Sequence, residues 1–162
     1  MFWPNRLNNT GACLPARAPA GGRLCRKQVA GSGRLRQERE MNTEEIAKKV
    51  VELCRQQAWK EAVDTLYADE IVSVEARSMD GGSPETHGIE GVRKKVDWWT
   101  NNMEVHSSKA IGPFVAHDRF VVQFEVDVTD KESSKRFQMS EVGVYTVKDG
   151  KIVREEFLPA TE

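Results

Sequence analysis

Three side chains in this sequence are of types that move protons, and four more are of types that grip an apolar molecule. Glu75 stands in "LYADEIVSVEARS", residues 66–78, where a helix end and an acidic turn lead into a short strand with apolar neighbours. A carboxylate there reads either as a general base at a pocket mouth or as a solvent-facing charge. Glu141 lies in "RFQMSEVGVYTV", and the period of two of a strand puts it on the same face as Phe137, Met139, Gly143, Tyr145 and Val147. A carboxyl on an apolar face must be paired or have its pKa raised, which marks a functional site unless an Arg or His neutralises it. His106 opens the strand expected after the third helix. An imidazole can carry a proton to or from a substrate with Glu75 or Glu141, or serve as a satisfied structural group. Trp99, Phe124, Met139 and Tyr145 are the candidate ligand contacts, although aromatic side chains at such positions also fill cores.

The elements that must position these groups follow from periodicity. Thr43 reads as an N-cap before Glu44 and Glu45, and Ile46, Val50, Leu53 and Cys54 form the buried stripe of a first helix. "AWKEAVDTL", ending at Leu66, repeats the pattern in a short second helix with Trp59, Ala62 and Val63 inward. "EIVSVEA" reads as a strand and "SMDGGSPE" as a loop. His87 sits at the entry to a third helix, whose stripe is Ile89, Val92, Val96, Trp99 and Met103, with Trp98 turned to a flank or a subunit contact. Val105–Ala116 and a turn at His117–Asp118 precede "RFVVQFEVDVT", which alternates Phe120, Val122, Phe124, Val126 and Val128 against polar partners. Lys148-Asp149-Gly150 signals a tight hairpin before "KIVREEFL", where Glu155 also faces inward and Glu156 outward. Helices segregated on one face of an antiparallel sheet make an α+β fold.

Composition narrows the function. Eight of the 24 basic and two of the 25 acidic residues precede Met41, which leaves 16 against 23 and a net charge of about −7 from Met41 onward. An acidic domain does not suit nucleic acid, and no apolar run reaches the ~20 residues of a membrane span. Cys13, Cys25 and Cys54 lack the spacing of metal ligands or a disulfide framework, so no metal or cofactor is expected and a reducing cytoplasm is the default compartment. Residues 1–40 are rich in Gly, Pro and Arg, without periodicity, and read as a disordered basic leader before a domain at 41–162. The leader fits a transit peptide poorly. Codons for Gln37-Glu38 can contain a purine-rich ribosome-binding sequence, which would make Met41 the functional start.

The order of elements, with "LYADEIVSVEA", "THGIEGV" and "VGVYTVKDGKIVREEF", resembles the nuclear transport factor 2-like superfamily and, within it, the SnoaL-like group of small proteins and polyketide cyclases. The resemblance covers Met41 to Pro159. It implies a cone-shaped curved antiparallel sheet wrapping three N-terminal helices, a pocket at the open end, and commonly a homodimer through the sheet. Ketosteroid isomerase, a distant relation, keeps its base where Glu75 falls, and the same alignment places His106 on the pocket wall. The isomerase's oxyanion-hole tyrosine and aspartate would fall at about Val51 and near Gly143, which argues against that mechanism here. The expectation is therefore a SnoaL-like protein that binds a small hydrophobic molecule. The alternative is a cofactor-independent isomerase, cyclase or dehydratase with Glu75 as general base and His106 and Glu141 as acid or orienting groups.

Overall fold

The computed structural model describes residues 40–77 and 83–160, so the expectations for residues 1–39 of the leader and for most of the loop "SMDGGSPE" lie outside the described residues. The first helix, α1 (Thr43–Arg55), is capped one residue earlier than its sequence suggests. Asn42 has an extended backbone, its side chain accepts the Glu45 N–H at 3.0 Å, and the Glu45 carboxylate accepts the Asn42 N–H at 2.9 Å. This reciprocal box satisfies two otherwise unpaired donors, and Thr43 becomes the first helical residue. After α1 come α2 (Trp59–Leu66), β1 (Tyr67–Val74), β2 (Glu85–His87) and α3 (Ile89–Asn102). Four long strands follow, β3 (Met103–Ala116), β4 (Arg119–Asp130), β5 (Lys135–Lys148) and β6 (Lys151–Pro159). His87, expected at the helix entry, instead ends β2, whose three residues pair with β1.

The six strands form one sheet in the order β2-β1-β6-β5-β4-β3. All neighbours are antiparallel except β1 and β6, which run parallel because α3 and the three following strands intervene between them. Asp149 and Gly150, both with positive φ, make the two-residue turn between β5 and β6 whose twist suits a hairpin. Two bulges bend β3, one between Val105 and Ser107 and one between Ile111 and Phe114 around the cis Gly112–Pro113 bond.

On β4 the alternation is realised: Phe120, Val122, Phe124 and Val128 are buried against the helices. Ile46, Val50 and Leu53 of α1 and Leu66 of α2 fill the space above them. Helix α1 packs on β3 and β4, whereas α3 packs on β1 and β2. Of the stripe expected on α3, only Val92 is fully buried. Ile89 and Val96 are half-buried against the core, Met103 opens β3 instead of ending the helix stripe, and Val92, Val96 and Trp99 line the cavity described next.

Candidate functional site

A cavity of about 310 Å³ lies between α3 and the inner face of the sheet. Strand register lays out its floor. Ser73, Glu155, Tyr145 and Phe120 form one lateral row across β1, β6, β5 and β4; Phe157 and Gly143 belong to the next; Glu141 and Phe124 face each other in a third; and Met139, Val126 and Ser108 form a fourth. Trp98 and Trp99 of α3 both reach the cavity although they are adjacent in sequence, with the half-exposed Trp98 at the rim.

At one end the wall is polar and densely bonded. Glu155 is only 2 % exposed. One of its carboxylate oxygens accepts the Tyr67 hydroxyl at 2.6 Å, and the other accepts the Ser73 hydroxyl at 2.7 Å and the Lys95 ammonium at 3.3 Å. Lys95 also donates to the Ser73 oxygen and, at 2.6 Å, to Glu75, and its nitrogen lies 4.8 Å from the centre of the Phe157 ring. The ammonium thus spends its three N–H donors on the protein itself. Burial works against the Lys95 charge, but Glu155 and Glu75 outweigh it and hold its pKa above the ordinary lysine value. Burial, reinforced by Glu155, pushes the Tyr67 phenol well up. The same two causes push the Cys54 thiol in the cavity wall up to about 12, which leaves it protonated and a poor nucleophile.

Next to this network along β5 lie two polar groups with no hydrogen bond or ion pair to any described residue, Glu141 and the Tyr145 hydroxyl. Burial raises Glu141 to about 7, the Glu75 and Glu155 charges add to the rise, and Lys95 opposes it. Tyr145 is 2 % exposed, stacked on Phe120 at 4.7 Å between ring centroids. Its hydroxyl opens onto the cavity, since no fully enclosed polar atom lacks a partner among the described residues. The ring leans back along β5 over Gly143, where an added Cβ would sit 2.9 Å from the hydroxyl oxygen and 3.1 Å from the Phe124 ring. Gly143 is therefore bare because Tyr145 needs the space. The position that the isomerase resemblance gives to an acid is filled by a hydroxyl arriving from two residues further on. Val51, its counterpart for the tyrosine, is buried in α1 and does not line the cavity.

Glu75, Glu141, Trp99, Phe124, Met139 and Tyr145 all line this cavity. His106 does not. It is exposed, and its ring nitrogen lies 2.7 Å from the Thr129 hydroxyl on the outer face of the sheet. Alternation from Ser108 would aim His106 inward, but the bulge between Val105 and Ser107 breaks the alternation and turns it out. Three site residues escaped the sequence reading: Ser73, Tyr67 and Lys95. Lys95 carried a usable signal, since it lies three residues after Val92 and four before Trp99, on the helix stripe itself. Among the described residues no group of three or more His, Cys, Asp or Glu is placed to hold a metal ion. No described helix is long and apolar enough to cross a membrane.

The SnoaL-like domain model matches residues 41–158. The chain belongs to that family. Among solved structures, this SnoaL-like domain is similar to a protein from Mesorhizobium loti described as a proposed SnoaL-like polyketide cyclase, with carbohydrate phosphatase given in brackets. The identity is 43%, the TM-score 0.68, and the match covers 73% of this chain and 99% of that one. An NTF2-like protein from Exiguobacterium sp. 255-15 matches at 21% identity and TM-score 0.54, over 72% of this chain and 99% of that one. A cystatin-like protein from Xanthomonas campestris matches at 15% and 0.62, over 75% and 92%. The last two show the fold alone. No curated protein matches the chain.

An uncompensated carboxyl carries a stability cost that can be measured. A folded pKa near 7 against an ordinary 4.5 means that the native state binds more protons than the unfolded state between those values, so stability falls as pH rises through that window. Glu141→Gln is expected to be more stable than wild type at pH 8, on the order of 2 kcal/mol, and no more stable at pH 4. Urea unfolding at both pH values checks this, and equal midpoints at pH 8 would contradict it.

Proposed function

We propose that this SnoaL-like protein binds a compact, largely apolar small molecule in the cavity, with one polar group of the ligand meeting Glu141 and Tyr145. The observation that carries the reading is the pairing of apolar walls with two polar groups that face the cavity, the half-buried Glu141 and the Tyr145 hydroxyl, and make no hydrogen bond to any described residue. Buried polar groups are ordinarily satisfied, and ligand sites combine apolar surface with a few convergent polar atoms. The name of the Mesorhizobium loti relative, a proposed polyketide cyclase, is compatible with a small organic ligand. Ser108→Phe projects a ring into the cavity from a half-exposed strand position and is expected to abolish binding of any molecule that titrates the wild type by tryptophan fluorescence. Undiminished affinity in that variant would place the ligand elsewhere.

A second reading, a cofactor-independent isomerase, cyclase or dehydratase, is favoured by one further observation. Glu141 is a carboxyl poised near neutrality, where a general acid or base works best. Glu75 is less suited to be the base, because its carboxylate is held by Lys95 at 2.6 Å. On an identified substrate this reading expects Glu141→Gln to remove the rate limb near pH 7, and a profile that keeps the limb would sink it.

The reading includes a homodimer through the outer face of the sheet. Ile111, Val142 and Leu158 lie in one lateral row there, Phe114, Val121 and Val144 in the next, and Phe114 is 62 % exposed.

A further inference from the structure

The charges of the cavity select among small molecules. Among the described residues its only basic lining residue, Lys95, has its three donors occupied by Ser73, Glu75 and Glu155, so an incoming anion finds no free cationic N–H there and meets carboxylates on β6, on β5 and at the end of β1. A neutral ligand leaves the Glu141 carboxyl without a counter-charge. The remaining wall includes Trp59, Trp98, Trp99 and Phe124, whose ring faces attract cations, while the Phe157 face is already taken by Lys95. The Tyr145 hydroxyl, which opens onto the cavity and makes no hydrogen bond to a described residue, adds an oxygen acceptor beside Glu141.

Resting on the binding reading above, we infer that the ligand is a protonated organic amine with an apolar body, its ammonium donating to Glu141 and Tyr145 and its body lying against the tryptophans. No covalent step is involved. Binding converts Glu141 to its ionised form, so a proton is released when the site is loaded from the protonated state. The groups that face Glu141 across the cavity are Glu75, Glu155, Lys95, Tyr67, Tyr145 and Cys54. Lys95, both tyrosines and Cys54 keep their protons near neutrality, since all four are held above their ordinary values. Glu141, at about 7, is then the group among the shifted ones that titrates there.

The test is isothermal calorimetry on the full chain with three near-isosteric probes: naphthylmethylamine, naphthylmethanol and naphthoic acid. At pH 8 the amine is expected to bind at least ~10-fold tighter than the alcohol, the difference a charge-assisted bond supplies, and the acid most weakly. Between pH 7 and pH 6 the amine loses up to about 10-fold in affinity while the alcohol does not follow it. Glu141→Gln brings the amine-to-alcohol ratio close to one. An alcohol that binds as tightly as the amine at pH 8, or a preference that survives Glu141→Gln, overturns the inference and leaves the binding reading standing. Failure of all three probes at millimolar concentration overturns both.

Discussion

Lys95→Met is expected to destabilise the domain by about 3 to 5 kcal/mol at pH 8, the range for removing one partner of a buried ion pair. The reason is what remains. Glu155, with its side chain 3 % exposed, and Glu75 keep their carboxylates in the wall but lose the ammonium that bridges them. In the wild type the raised Lys95 pKa contributes stability that is fully present below the unfolded lysine value and is lost as pH rises through the higher folded one. Removing Lys95 also takes away the one charge that draws Glu141 down, so Glu141 rises further above about 7. The deficit of the variant should therefore shrink as pH falls from 8 to 5 and protons neutralise the uncompensated cluster. Urea midpoints at the two pH values measure it. A deficit that does not change with pH would assign the loss to packing of the Lys95 chain instead of its charge.

Phe120→Ala is expected to cost a further distinct 3 to 5 kcal/mol or so, because it opens a cavity under a ring that is 0 % exposed. Its consequence extends to the site. Phe120 stacks on Tyr145 with the planes 10° apart, while Phe157 meets Tyr145 edge-on at 6.2 Å. With one support gone, the Tyr145 ring has room to sink, and its hydroxyl leaves the place over Gly143. Thermal unfolding should show the stability loss, and any ligand that reports on Tyr145 should bind more weakly. Phe120→Leu, which keeps most of the volume, should lose less than half as much. A Phe120→Ala loss below about 1 kcal/mol would show that the surrounding side chains collapse into the space.

The architecture was legible because its signals are local and repeated. The alternation on β4 and the stripes on α1 and α2 each require only that apolar side chains recur with the period of the element. The Asp149-Gly150 turn was legible for a different reason, since few residue types tolerate two successive positive φ values. The isomerase alignment misled at His106, where one extra residue in a bulge reverses the side of the sheet that a side chain faces. Sequence spacing was incomplete at Lys95, because a lysine on a helix stripe ordinarily extends its ammonium to solvent. Here the carboxylates that keep it inside come from β6 and the end of β1, 60 and 20 residues away in the chain.

By itself, then, the sequence determined the α+β class, the three helices, the strand alternation and the presence of carboxyls on an inward face, since these depend on neighbours within a few residues. Tertiary structure alone decided which carboxyl is saturated and which is free. Glu75, the candidate singled out by its surroundings in "LYADEIVSVEARS", is bound by Lys95, whereas Glu141 stands unpartnered beside the Tyr145 hydroxyl. That difference is set by long-range partners and by desolvation, and both come into being only when β1, β5, β6 and α3 close around one cavity.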